Sequence, residues 1–575
     1  MTSVTSFDEY LSGGDPTRNS NQDTAVESLL KLRRLNPHLV PILAAAAGFG
    51  KTKTSQKWVF ALEKLHGERL KSLYVTTRRQ IADSLFSELC NLSDRSVMIY
   101  YGGRVATVVN GDLTEWDDDD VSERKHIDLV GEYDIVITTV DQMCALQNSH
   151  VDCVTYIHLL QDRVMILDEY HEIVSIPKMI LFLKEMFDTK RELVNDHILP
   201  MSATPNLPLS NALFGTEKFH LVRTKSVYDK QVRVVLHLRE EIGVAEAKEF
   251  FSGFSDRADV LSVSDGLNPL RDLAFEGEGG FVYSSYLDTP DRRAAFSSLM
   301  DHNGKHASLD SRSCWSGPVL QASVDASWRC LATTTTTPEN LLQRGGRTQR
   351  HQGGVAEWNI LLPTGESKVH RHLWEGLRPH ASYVLGWSRH LVSIGERLGA
   401  VVENSVMEFT VAEDFLYNEY FDYSDKCLKD TKVKDELSEY IDLGIKDLKK
   451  EDFFEPRMSF APKKKRVQDK LASRSMRGNG SVWISVSECD RNKVETGAQR
   501  VVSIELKPHR KKLIAELELC GAFRKAHGFN KYNCGSPKKM FYLARNKNTP
   551  IILPKEVAKY WFGPEVSGVG LFWCK

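Results

Sequence analysis

An apolar run, His38 to Ala44, leads into the small-residue turn Ala45-Ala-Ala-Gly-Phe-Gly-Lys51-Thr52 and then into a stretch, Thr52 to Leu65, whose apolar positions recur at three and four. This order of strand, glycine-containing turn and helix constrains the chain more than any other feature. A strand that feeds a helix in this way belongs to a parallel sheet covered by helices. In such a turn the backbone N–H groups close on a phosphate and the helix N-terminus adds positive potential. A lysine at the end of the turn reaches the β and γ phosphates, and the hydroxyl after it ligates Mg2+. The phosphate-binding candidates are Ala47, Gly48, Phe49, Gly50, Lys51 and Thr52, with ATP or another NTP and Mg2+ as the expected ligands.

A second apolar run, Val164 to Leu167, ends in Asp168-Glu169-Tyr170-His171, 117 residues after Lys51. At the carboxyl edge of a sheet, Asp168 is expected to hold the metal through water together with Thr52, and Glu169 to orient and deprotonate the attacking water. His171 offers a switchable hydrogen bond towards a second domain. Further strands are expected at Ser72 to Thr76, Asp134 to Thr138 and Ile198 to Met201, with a helix over Arg79 to Leu92. A second alternating set runs through Gln231 to Leu238, Gly280 to Ser284 and Pro318 to Ala322, closing with a helix from Pro338. The run Thr333 to Thr337 reads as a strand edge or a capping loop.

At 575 residues the chain is too long for one core. The expected division is a loose polar leader (1–24), a first α/β domain (25–225), a second (226–380), and a C-terminal domain (381–575) with an acidic helical part followed by a basic part. From Arg457 to Lys575 there are 25 Lys/Arg against 9 Asp/Glu, while the whole chain carries a net charge of only -2. Such a region suits nonspecific phosphate contacts along a strand of nucleic acid. Lys463 to Arg466 resembles a nuclear import signal but reads first as a solvated basic loop. Trp483, Phe523, Phe529, Tyr532 and Phe541 read as core rather than as base-stacking platforms.

Ordinary globular composition, 41% hydrophobic and 26% charged, excludes wholesale disorder. The longest apolar stretch, Leu39 to Phe49, is interrupted by Pro41 and Gly48 and falls short of the roughly 20 residues of a membrane span. The N-terminal residues lack the basic end and apolar centre of a secretion signal. The ten cysteines are scattered, without the close pairs of a structural zinc site. A reducing, intracellular setting is expected.

With both nucleotide motifs in hand, the chain from about 25 to 355 resembles a superfamily 2 DExH helicase, most like flavivirus-type and related viral RNA helicases. That resemblance implies two tandem RecA-like parallel-sheet domains, here with an added mainly helical or mixed C-terminal domain. Ser202-Ala-Thr204 matches motif III, which links hydrolysis to strand movement, and Gln343-Arg-Gly-Gly-Arg347-Thr-Gln-Arg350 matches motif VI. Arg347 and Arg350, three apart and expected on one helical face, are the arginine-finger candidates, with Gln343 directed at the water or γ phosphate. Thr77 and Arg78 resemble motif Ia, Thr139 lies in a motif Ib-like segment, Phe281 to Ser284 resembles motif IV, and Ala322 to Asp325 a degraded motif V. Gly345 stands where the family often has Arg, and Gln349 where it often has Gly. Gln22 reads as a solvated leader residue rather than as the adenine-reading glutamine of DEAD-box proteins.

The resemblance implies an NTP-driven translocase on single-stranded or partly duplex RNA. It would work in viral RNA replication in the host cytoplasm beside a polymerase or replication complex, or in the nucleus if the basic run acts as an import signal. The initial Met1 favours a separate product over a polyprotein fragment. The alternatives are a catalytically weak RNA-binding scaffold and a DNA-directed helicase of the same superfamily.

Overall fold

A computed structural model describes residues 5–450 apart from 47, 93, 102–103, 117–130, 149–152, 176, 194–195, 216–217, 225–228, 266–269, 271–280, 284–288, 306, 318–319, 321–324, 351–353 and 365–380, together with 481–487, 501–505, 515, 517 and 551–554. Two large sheets carry it. The first holds β1 (Val40–Ala44), β2 (Lys71–Thr76), β3 (Val97–Tyr101), β4 (Arg104–Val109), β5 (Asp112–Trp116), β6 (Ile135–Thr139), β7 (Arg163–Asp168), β8 (Ile198–Ser202) and β9 (Phe219–Arg223). They lie in the order β5-β4-β3-β6-β2-β7-β8-β1-β9. Strands β1, β3, β6, β7 and β8 are buried along their whole length, which is what near-continuous apolar runs such as Val-Met-Ile-Leu require: both faces must be covered by helices. One face packs against helices Lys51–His66 and Arg79–Leu89 through Trp58, Leu62, Leu85 and Phe86, the other against Pro177–Arg191 through Ile180, Leu183 and Phe187.

Parallel register brings the chemistry-bearing residues to one edge. Ala44 pairs with Ser202, Asp168 with Met201, and Thr76 with both Asp168 and Thr139. The residues that leave β1, β7 and β8 therefore emerge side by side at the carboxyl ends of their strands, where open parallel sheets bind ligands.

The second sheet comprises β10 (Lys230–Arg239), β11 (Val260–Val263), β12 (Phe281–Tyr283), β13 (Cys314–Ser316), β14 (Cys330–Thr334), β15 (Gly354–Pro363), β16 (Val402–Glu403) and β17 (Val406–Ala412). Its order is β12-β13-β11-β14-β15-β10-β17-β16, parallel from β12 to β10 and antiparallel at β17 and β16. A third, small sheet joins β18 (Ser481–Ser487), β19 (Val501–Glu505) and β20 (Ile551–Pro554). Two RecA-like units and a C-terminal part are thus in place.

Three expectations need correction. The leader is not loose: helices Phe7–Ser12 and Pro16–Leu35 cover the first unit. Asp15 caps the longer helix and Pro16 starts it, and Gln22, Ala25, Val26 and Leu29 form its buried stripe. Nor does a separate domain begin at 381. Strand β17 pairs with β10, and helices Ala381–Arg397 and Glu413–Cys427 pack on the second core through Tyr383, Trp387, Leu391, Leu416 and Tyr420. Helix Thr431–Lys450 then returns to the first unit, where Tyr440 and Ile441 pack against its core. The strand expected over 318–322 lies outside the described residues apart from Leu320. Thr333 and Thr334 belong to an interior strand, while the Thr337 side chain caps helix Pro338–Gly345 by accepting from the Asn340 N–H.

Candidate functional site

The turn after β1 depends on two glycines in the left-handed region, Gly48 at φ 82° and Gly50 at φ 88°. Gly50 is the N-cap of helix Lys51–His66 and supplies no capping side chain, so the helix end stays open to an anion. Phe49 is inserted in the core, 1% exposed, and anchors the turn rather than facing a ligand. Its carbonyl accepts from Gln22 Nε2 at 2.9 Å. Gln22 is fully buried beneath the turn, not solvated, and a Cβ on Gly50 would lie 2.5 Å from its amide nitrogen. Ala47 lies outside the described residues.

Lys51 forms an ion pair with Glu169 across the site. Glu169 adopts φ 50°, a left-handed conformation that costs a residue other than glycine on the order of 1–3 kcal/mol and that clusters at functional positions. Burial opposes its charge, but Lys51, His171 and Arg347 together hold its carboxyl below the usual range. Asp168 goes the other way: burial and the adjacent Glu169 charge push it up to about 7. Asp168 Oδ1 is buried with no hydrogen-bond partner. A carboxylate oxygen in that condition, lining the same cleft as Thr52, fits a divalent cation held by the two residues.

The second unit reaches the same place. Lys51, Thr52, Asp168 and Glu169 share a cavity of about 390 Å³ with Gln343, Arg347 and Arg350, within the roughly 300–1,000 Å³ usual for small-molecule sites. Gln343 Nε2 meets His171 Nε2 at 2.6 Å, and His171 Nδ1 lies 2.8 Å from Ser202 Oγ. Ser202 Oγ also accepts from the Thr204 N–H at 2.9 Å. With the proton on Nδ1, the His171 ring accepts from Gln343 and joins the end of β8 to the second unit.

The arginines do not share a helical face. Helix Pro338–Gly345 stops before them, and both leave from the turn that follows. Gly345 is required by space: a Cβ there would stand 2.0 Å from Trp358 Cζ2, which explains why the Arg often found at this position is excluded. Gln349 takes φ 46° and donates its N–H to the Trp328 carbonyl at 2.7 Å, filling the left-handed position where the family often has Gly. Arg347 is almost fully buried, and burial with the neighbouring Arg350 lowers its pKa to about 9. Arg350 Nε pairs with Asp325 at 2.8 Å.

Residues 19–211 match the DEAD/DEAH box helicase family. DEAD/DEAH box helicases use a nucleoside triphosphate with Mg2+, and this cleft fits that pair. Comparison with curated proteins gave no match. Among solved structures the chain resembles T. fusca Cas3 bound to AMPPNP, with TM-score 0.60 and 15% identity over 94% of this chain and 69% of that one. T. fusca Cas3 bound to ATP is similar, with TM-score 0.59 and 15% identity over 93% and 67%. The DUF1998 helicase MrfA bound to DNA and AMPPNP gives TM-score 0.51 and 14% identity over 85% and 65%. The likeness in fold is thus to Cas3 and MrfA helicases rather than to the flavivirus-type helicases of the motif resemblance. No helix among the described residues is long and apolar enough to cross a membrane.

The helicase motifs outside the cleft are less open than expected. Thr77 is buried and donates to Glu172 Oε2 at 2.8 Å, and Arg78 pairs with the same oxygen at 2.7 Å. The Thr139 hydroxyl is buried and accepts from the Gln142 N–H at the start of helix Val140–Asn148. Asp325, the end of the motif V-like segment, does reach the cleft, whereas 322–324, Ser284 and Lys463 to Arg466 lie outside the described residues. Sequence reasoning missed Arg18, Glu88, Lys305 and Tyr417 in the lining. Arg18 was detectable from the Asp15-Pro16 helix start; Tyr417 had no local signal.

Proposed function

We propose that the chain is an NTP-driven translocase and helicase acting on single-stranded nucleic acid. The observation that carries this reading is the cleft itself: Lys51, Asp168 and Glu169 of one unit and Gln343, Arg347 and Arg350 of the other line a single cavity. Lys51 exchanges its ion pair with Glu169 for the β and γ phosphates, which frees a carboxylate already held in its ionised form to orient and deprotonate water. Thr52 and Asp168 would hold Mg2+, which when bound would supply neutralisation of the triphosphate's charge. Arg347 and Arg350 approach the charge that develops on the transferred group, so hydrolysis requires both units. The His171–Gln343 contact, through Ser202 and Thr204, reports that state to the end of β8. Cycles of closure and opening move strand contacts on the two units past one another.

The strand is RNA in the reading drawn from the motif resemblance, to which a viral replication setting also belongs. It is DNA in a second reading, favoured by the fold shared with a DNA-bound MrfA structure. Steady-state ATP hydrolysis with and without single-stranded RNA or DNA tests all of this. RNA stimulation supports the first reading and DNA-only stimulation the second, while a chain with no hydrolysis would be a scaffold. Lys51→Ala and Glu169→Gln are each expected to lower kcat by roughly 10²–10⁴-fold with strand binding retained. A wild-type rate in either variant contradicts the assignment.

A further inference from the structure

Beneath the cleft, away from the nucleotide groups, Glu339 occupies the first turn of helix Pro338–Gly345 and is only 4% exposed. Its Oε1 accepts three hydrogen bonds, from Asn206 Nδ2 at 3.0 Å, Tyr383 OH at 2.6 Å and Tyr420 OH at 3.0 Å. These donors come from three different places. Asn206 follows Ser202-Ala-Thr204 on the first unit, and the tyrosines stand on helices Ala381–Arg397 and Glu413–Cys427. The single hydroxyl proton of Tyr420 is shared between Glu339 Oε1 and the Pro205 carbonyl, 2.9 Å away, and the Leu207 N–H donates to Ser424 Oγ at 3.2 Å. Asn206 is held from the other side, because its Oδ1 accepts from the Leu209 N–H at 2.8 Å as the cap of helix Leu207–Phe214. The cap fixes which amide atom faces Glu339: it must be the donor. Glu339 makes no ion pair among the described residues, and burial pushes its pKa up. A carboxyl satisfied only by neutral donors from three elements is costly to detach from any of them.

We propose that Glu339 is a positioning residue: with Asn206, Tyr383 and Tyr420 it latches the helix bearing Gln343 to the end of β8, and so sets where Gln343 and Arg347 stand across the cleft. Gln343 is four residues beyond Glu339 on the same short helix, one turn away, so rotation or sliding of that helix moves it directly. The helices after residue 381 thereby belong to the hydrolytic machinery although none of these four side chains lines the nucleotide cavity. The inference rests on the hydrolytic reading of the cleft.

The test is steady-state ATP hydrolysis with Mg2+ by the full chain. Asn206→Asp keeps the capping oxygen and sets an acceptor against Glu339 in place of the donor. Its kcat is expected to fall roughly tenfold or more, with KM for ATP within about twofold because the phosphate turn is untouched. Combining it with Glu339→Gln restores a donor–acceptor pair and is expected to recover most of the loss, which a merely structural defect would not do. Should Asn206→Asp fail to fold, Tyr383→Phe and Tyr420→Phe each remove one hydroxyl and are expected to lower kcat by about threefold. Folded variants with unchanged kcat, or a double variant no faster than the single, overturn the latch alone. A wild-type chain that hydrolyses no ATP overturns the hydrolytic reading, and the latch's role in hydrolysis with it.

Discussion

Gly345→Ala is the smallest change that should disturb both stability and the far side of the cleft. Gly345 closes a helix with its backbone against the benzo ring of Trp358, and an added Cβ would stand 2.0 Å from Cζ2 and 2.3 Å from Cε2 and Cη2. Ordinary carbon contacts need about 3.5 Å, so something must move by about 1.5 Å. The ring has little freedom. Trp358 lies in β15 between β10 and β14, and its indole N–H donates to Thr348 Oγ1 at 2.9 Å. The helix end yields instead, two residues before Arg347. Overpacking of this kind costs about 1–3 kcal/mol, and a misplacement near 1 Å can cost on the order of 10²-fold in rate. Denaturant unfolding should show a lower midpoint at unchanged slope, and steady-state hydrolysis a lower kcat. Adding Trp358→Phe, which removes part of the offending ring, should return some of that kcat. A Gly345→Ala chain as stable and as active as wild type would refute the packing argument.

Three other outcomes follow from the geometry. The Asp168 carboxyl is raised to about 7 in the fold against an ordinary value near 3.9. Between those values the folded chain retains a proton that the unfolded chain has lost, so this group's contribution to stability declines as pH rises; a bound cation takes the proton's place. The rise in Tm on adding Mg2+ and ADP should therefore be larger at pH 8 than at pH 6, and equal rises would count against Asp168 as the metal's carboxylate. Lys230, buried in an ion pair with Glu413 at 2.7 Å, also donates to the Gly345 carbonyl at 3.1 Å. Lys230→Ala should cost about 3–5 kcal/mol, whereas Lys230→Met with Glu413→Leu should cost much less, and equal losses in denaturation would contradict this. Asp15→Ala removes the cap on the Arg18 N–H and should cost about 1 kcal/mol; no change in unfolding would show that the N-terminal helix adds nothing to the first unit.

The parts legible in the sequence were those in which chemistry and local structure coincide. Lys51 follows a buried apolar strand and opens a helix, and Asp168 ends another such strand, so their meeting at one sheet edge needed only parallel register. Non-local pairing left weaker traces. The hairpin of β3 to β5 joins an otherwise parallel sheet by its edge, and most of β5 is exposed, giving no apolar run to detect. Helix Pro16–Leu35 is polar enough to pass for a leader, and its buried face includes Gln22, a residue that sequence reasoning assigns to solvent. The turn carrying Arg347 and Arg350 could be found by its residues but not shaped by them, since the helix end is decided by Trp358, thirteen positions beyond Gly345 and on another element. Glu339 gave no signal at all, because its partners Asn206, Tyr383 and Tyr420 are distant in sequence.

Among the described residues the polypeptide passes between the two RecA-like units twice, first between Arg223 and Lys230 and again between Cys427 and Thr431, where helix Thr431–Lys450 goes back to pack on the first core through Tyr440 and Ile441. A body tethered at one point can swivel in any direction. Tethered at two, it turns about the line that joins them, like a door on a pair of pins. A closure about that line would follow a single arc, and an event at the cleft would be read out along it.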